Sequence, residues 1–223
     1  MASMVSVEGA GVPLAAEVHD GDPARTAVLV HGMGGTDWPL DAFEGARVVT
    51  YDRRGYGGSG APEPYVRTTV NEQAEDLAAV VGALDAAPAL LAGADFGALV
   101  VLDVLLRRPE LARAAVLVDP PAYMFVAEAT EALSEQTAAL EAELRAGGPE
   151  AIETNRARIA DFGAIASLPL SHPALASIAV PVAVVASERA RPHDLAAAEA
   201  LLVATPAAVG AADLADAVRR VGG

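Results

Sequence analysis

The stretch LLAGADFGALV, residues 90–100, decides the fold. An apolar run enters a Gly-x-Asp-x-Gly turn and leaves it as a second apolar run, which reads as a buried strand, a sharp turn and a buried helix with Asp95 at the apex. Gly93 and Gly97 suit such a turn because strand and helix pass there too closely for Cβ atoms. A carboxylate at the apex has two readings. It caps the helix starting at Phe96, since Asp is a good N-cap, or it is a reactive group. A cap alone does not demand both glycines, so the second reading is preferred.

Outward from this turn, the first 120 residues alternate β-branched runs with helical patterns, as a parallel sheet with crossover helices does. Residues 27–31 (AVLVH), 46–51, 89–94 and 114–119 read as strands, and 70–86 and 96–108 as helices, the second stopped by Pro109. Between 122 and 178 the pattern changes. Val126, Thr130, Leu133, Thr137, Leu140 and Leu144 form one amphipathic stripe, with Glu128, Glu131, Glu135, Glu141 and Glu143 on its solvent side. Gly147, Gly148 and Pro149 end that helix, and residues 150–162 supply another. Strand pattern resumes at 181–187, followed by a helix over 194–203, a short apolar run at 207–209 and a terminal helix over 211–221. The organisation expected is an α/β core, residues 1–121 and 179–223, with a helical cap at 122–178 inserted after the sixth strand.

Composition narrows the chemistry. The 223 residues suffice for one sizeable core. Thirty acidic against fifteen basic side chains give a net charge of −15, which repels phosphate backbones and anionic lipid, so nucleic acid and membrane are not expected partners. All the basic residues are arginine. Without lysine there is no Schiff base, no pyridoxal anchor and no P-loop lysine. Without cysteine there is no thiolate nucleophile, and the four histidines, at 19, 31, 172 and 193, lack metal-ligand spacing; neither metal nor cofactor is called for. No leader pattern or apolar membrane-spanning run is present, and a cytoplasmic location is the default expectation.

Three motifs in order carry a resemblance: LVHGMGG (29–35), YDRRGYGGSG (51–60) and Gly93-x-Asp95-x-Gly97. The chain resembles the α/β-hydrolase superfamily, whose His-Gly turn after the third strand, Asp-x-Arg-Gly-x-Gly-x-Ser segment and nucleophile elbow these match. The fold implied is a mostly parallel, doubly wound sheet with a helical cap insertion. Members with Asp at the elbow resemble haloalkane dehalogenases and epoxide hydrolases, so the resemblance implies a carboxylate nucleophile at Asp95. It further implies an oxyanion hole from the backbone N–H of Phe96 and that of Met33 or Gly34, with His31 shaping the turn through its backbone. Candidate apolar lining is Trp38, Phe96, Tyr123, Met124 and Phe125. Gly55-x-Gly57-x-x-Gly60 has a dinucleotide-binding spacing, but Pro62 and Pro64 stand where a helix N-terminus would hold the pyrophosphate. Asp52, Arg53 and Arg54 read as pinning this loop, and Asp119 as a turn former before Pro120 and Pro121 or a pocket acid.

The sequence departs from the family pattern at the other end. No histidine follows His193, Gly210 leads directly into the last helix, and Ala190 stands where the pattern places the triad acid. His193, in the Arg-Pro-His-Asp segment, is a candidate surrogate, although that segment also reads as a helix start; His19 and His172 sit beside Gly21 and Pro173 in surface turns. Three functions follow. The first is a non-hydrolytic enzyme (lyase, isomerase or cyclase) acting on an apolar small molecule with Asp95 as acid/base. The second is a hydrolase of esters, epoxides or carbon–halogen bonds using His193 or a histidine of a neighbouring copy in a homodimer. The third is a small-molecule binding protein that has lost the chemistry.

Overall fold

A computed structural model describes residues 2–35, 37–126 and 129–222; Glu128 and the side chain of Thr130, both assigned places on the amphipathic helix, lie outside the described residues. Eight strands form one sheet in the order β1-β2-β4-β3-β5-β6-β7-β8. They are β1 Ala2–Glu8, β2 Pro13–His19, β3 Asp22–Val30, β4 Ala46–Tyr51, β5 Ala89–Ala94, β6 Ala112–Val118, β7 Val182–Val185 and β8 Ala208–Ala211. The first two pair antiparallel, β2 joins β4 antiparallel, and the rest run parallel. The helices are α1 Val70–Ala83, α2 Phe96–Arg107, α3 Ala129–Thr154, α4 Arg156–Ala164, α5 His172–Ala176, α6 Pro192–Ala204 and α7 Leu214–Val221.

Alternation along the central strands builds two cores. Val28, Val30, Val49 and Leu91 pack with Leu77, Leu99 and Leu201 of α1, α2 and α6 on one face. Ala27, Leu29, Val48 and Leu90 face Phe43 and, from α7, Ala217 and Val221 on the other. Burial on both faces makes these strands continuous apolar runs. Among the described residues, no helix is long and apolar enough to cross a membrane.

The strand order turns at the β3–β5 pair: the chain winds from β3 outward to β4 on one side and from β5 to β6 on the other. Loops leaving the C-terminal ends of β3 and β5 therefore diverge and leave a crevice, the usual place for a site in an open α/β sheet. Residues 31–35 and Asp95 occupy those two loops.

Several expectations are refined. The N-terminal hairpin is absent from the sequence reading, because β1 is an edge strand with only Val7 fully buried, which leaves too faint an alternation. His19 ends β2, and His172 opens α5. As expected, helical backbone is broken at Gly148 (φ 67°), so α3 is two helices meeting at a kink before Pro149, whereas the second helix expected over 150–162 is itself divided at Asn155, where α4 begins. Along the predicted stripe Leu140 is buried, Leu133 and Leu144 are half-buried, and Thr137 is exposed. The final helix begins at Leu214, capped by Asp213, so only Ala212 and Asp213 separate β8 from α7.

Candidate active site

The elbow takes its shape from its glycines. A Cβ on Gly93 would run into the Gly97 carbonyl, and one on Gly97 into the Val30 carbonyl of the neighbouring strand. Asp95 itself adopts φ 49°, a region unfavourable for any side chain. Its carboxylate makes no capping bond to α2. It turns instead across the crevice, where Oδ2 accepts the Met33 N–H at 3.0 Å. Gly32 permits this approach, since a Cβ there would lie 2.8 Å from Asp95 Cβ. Asp95 is partly exposed. Burial pushes its pKa up, opposed by the backbone N–H groups of Met33 and Phe96 and by the charge of Arg53.

Met33 is thus the predicted donor that reaches Asp95; Gly34 (φ 85°) turns its N–H toward the Tyr56 hydroxyl. His31 is locked. Its Nε2 accepts the Arg53 backbone N–H at 2.9 Å, which leaves the proton on Nδ1 to donate to the Gly32 carbonyl at 2.7 Å. Burial, with the Arg53 charge added, pushes its pKa down to about 4. Both nitrogens of a neutral imidazole are occupied, so His31 shapes the turn with its side chain.

His193 lies in the first turn of α6, where its Nε2 is 3.1 Å from the Gln136 amide and 3.5 Å from Asp194 Oδ1, with its ring edge-on to Tyr123. Asp194 beside it accepts the Tyr123 hydroxyl at 2.7 Å, Arg191 Nε at 2.8 Å and the Arg191 backbone N–H at 2.9 Å, which satisfies the start of the helix. The helix-start reading of this segment therefore describes its geometry. Tyr123 follows the C-terminal end of β6 and Arg191 that of β7, both parallel to β5, which puts this cluster on the same edge of the sheet as the elbow. Arg191 carries no signal in the sequence beyond its place next to Pro192.

The other predicted lining residues disperse. Phe96 is fully buried beneath the Arg53 guanidinium, 4.9 Å from its ring centre. Met124 is 46% exposed, and Phe125 packs edge-on against His172. Trp38 borders a cleft of about 590 Å³ with His31, Tyr56, Leu29, Thr50 and Asp52. Asp119 accepts the Ser187 N–H at 2.8 Å and its hydroxyl at 2.5 Å, joining the ends of β6 and β7. Among the described residues no group of three or more His, Asp or Glu could hold a metal.

A strand-turn-helix elbow at the centre of an eight-stranded, mostly parallel sheet of this order defines the α/β-hydrolase class of protein. The model of the alpha/beta hydrolase family matches residues 27–221, and the chain belongs to that family. It is 34% identical over 104 residues to a Mycobacterium tuberculosis protein with the provisional name non-heme bromoperoxidase BpoC, covering 44% of this chain and 37% of that one. It is 34% identical over 110 residues to an Agrobacterium fabrum protein provisionally named carbamate hydrolase RutD, covering 46% and 42%. The aligned stretch thus spans about two fifths of either relative. An alpha/beta hydrolase from Sphaerobacter thermophilus superposes with a TM-score of 0.67 over 98% of both chains at 21% identity, a likeness of fold.

Proposed function

We propose that the protein is a small-molecule enzyme of the alpha/beta hydrolase family in which Asp95 transfers a proton as acid/base in a non-hydrolytic reaction. The observation that carries this reading is the bond from the Met33 N–H to Asp95 Oδ2. In a serine enzyme of this fold that donor awaits a substrate oxygen. Here it is spent on the carboxylate, which it holds in place; in this reading the other oxygen, Oδ1, is the one that meets the substrate. The histidines support the same reading: His31 is held neutral by two hydrogen bonds, and His193 is engaged with Gln136 and Asp194. In the proposed step Oδ1 takes a proton from carbon, and the electron pair moves to an adjacent carbonyl. Protonated Asp95 then returns the proton at a second carbon, or to a leaving group. In this reading the helices between β6 and β7 roof the crevice.

Hydrolysis is the second reading, favoured by the name of one relative, carbamate hydrolase RutD. An ester formed on Asp95 and attacked by water at Cγ would place the developing oxyanion on an Asp95 oxygen, where the Met33 N–H already points. One experiment separates the two. Small ketones, lactones, esters and epoxides are incubated with the protein in deuterated, ¹⁸O-enriched water and followed by mass spectrometry. Proton transfer puts deuterium into a compound or expels a leaving group, in either case without adding ¹⁸O, and Asp95→Asn lowers that rate by about 10²–10⁴-fold while binding is retained. If ¹⁸O enters the Asp95 peptide instead, the acid/base reading is wrong and the ester route is right. If neither label moves in any compound, the remaining reading is a binding protein.

A further inference from the structure

Asp161 on α4 is fully buried, as is its partner Arg53, and 108 residues separate the two in the chain. All five N–H groups of the guanidinium are engaged. Nη2 donates to Asp161 Oδ2 at 2.7 Å and to the Gly32 carbonyl at 3.0 Å. Nη1 donates to Asp161 Oδ1 at 3.2 Å and to Gln73 Oε1 at 2.5 Å, and Nε to the His31 carbonyl at 2.8 Å. Asp161 also accepts the Tyr56 hydroxyl at 2.7 Å and the Gln73 amide at 2.8 Å. Burial works against the charge on Arg53, but Asp161's charge and hydrogen bonds outweigh it and hold the guanidinium charged.

The Gly32 carbonyl and the Met33 N–H belong to one peptide unit. Arg53 and the His31 Nδ1–H grip its oxygen; Asp95 Oδ2 accepts from its nitrogen. In a planar trans amide the two groups point in opposite directions, so fixing one fixes the other. A cation at the carbonyl also polarises the amide and makes its N–H a stronger donor. Arg53 stands at the first variable position of the Asp-x-Arg-Gly motif, and the motif's own arginine, Arg54, is committed elsewhere, to Asp76 at 2.6 Å.

We propose that Asp161 is a positioning residue: through Arg53 it fixes the Gly32–Met33 peptide whose N–H holds the Asp95 carboxylate. The proposal rests on the reading of Asp95 as the working carboxylate, yet its test needs no turnover. Without Asp161 the buried guanidinium is left unpaired, which a protein interior does not tolerate, and it must move off the carbonyls it now grips.

The test follows the Met33 amide proton by NMR in the full, ¹⁵N-labelled chain. In the wild type this proton is expected downfield, bonded to a carboxylate, with a step in its pH titration as Asp95 ionises. Asp161→Ala is expected to abolish both features while amides of β5 and α2 hold their positions. Asp161→Asn keeps the size of the side chain but removes its charge and should move the Met33 signal part of the way; it carries the test if Asp161→Ala does not fold. Arg158→Ala breaks an exposed pair with Glu143 from the same helix and should leave Met33 unchanged. An unmoved Met33 signal in both Asp161→Ala and Asp161→Asn overturns the proposal. So does an equal loss in Arg158→Ala, which would mean general loosening of the insertion. If Met33 responds as expected but no deuterium enters any substrate, the positioning stands and the acid/base function falls.

Discussion

Asp95 holds a conformation that costs a non-glycine residue about 1–3 kcal/mol. Its environment adds a second cost. Burial raises its pKa, so between its unfolded and folded values the native state binds more protons than the unfolded one, and stability falls as pH rises through that window. The penalty is present at neutral pH and absent in acid, where the carboxyl is protonated in both states. Asn keeps an oxygen for the Met33 N–H and carries no charge. Asp95→Asn is therefore expected to raise stability at neutral pH by on the order of 1 kcal/mol, a modest gain because Asp95 is partly exposed, and the gain should fade below its folded pKa. Paired thermal melts of the two proteins across that pH range check this; equal or lower stability of the variant at neutral pH would count against a destabilised carboxylate. A residue kept at a cost to stability suits a functional site better than a structural one.

Elements meet at the elbow with no spare room. Gly97→Ala would drive a methyl group into the Val30 and His31 carbonyls, backbone that cannot yield without parting α2 from β3. A loss of at least about 3 kcal/mol is expected, read by denaturant unfolding, whereas Gly82→Ala on the solvent face of α1, where nothing lies within 4 Å, should be tolerated. This asymmetry explains what the sequence revealed. The elbow was legible because close packing leaves a local mark, two glycines about one apex residue. The sheet was legible because doubly buried strands make apolar runs. The Arg53–Asp161 pair was not, since its partners lie 108 residues apart and Asp161, on a helix with Arg156 and Arg158, reads like any solvated acid. Likewise Met124 and Phe125 were expected at the site from their position after β6, but a three-residue helical turn sends one to solvent and the other to His172. Sequence spacing does not encode which way such a turn points.

For the whole molecule, charge is the dominant long-range term. Thirty acids and fifteen arginines repel one another on balance, while several exposed pairs, such as Arg220–Asp216 at 2.7 Å, offer little each. Raising salt to ~0.5 M is expected to raise the melting temperature, because screening the net repulsion outweighs weakening pairs worth about 0–1 kcal/mol each. A fall in melting temperature would mean that the surface pairs matter more than the net charge. The long span between Arg53 and Asp161 has a consequence in time. On a ribosome adding about 5–20 residues per second, the loop that presents Met33 emerges roughly 6–26 s before the acid that steadies it. The elbow carboxylate is thus made early and completed late, so a nascent or truncated chain carries Asp95 without the support that Asp161 gives the Gly32–Met33 peptide.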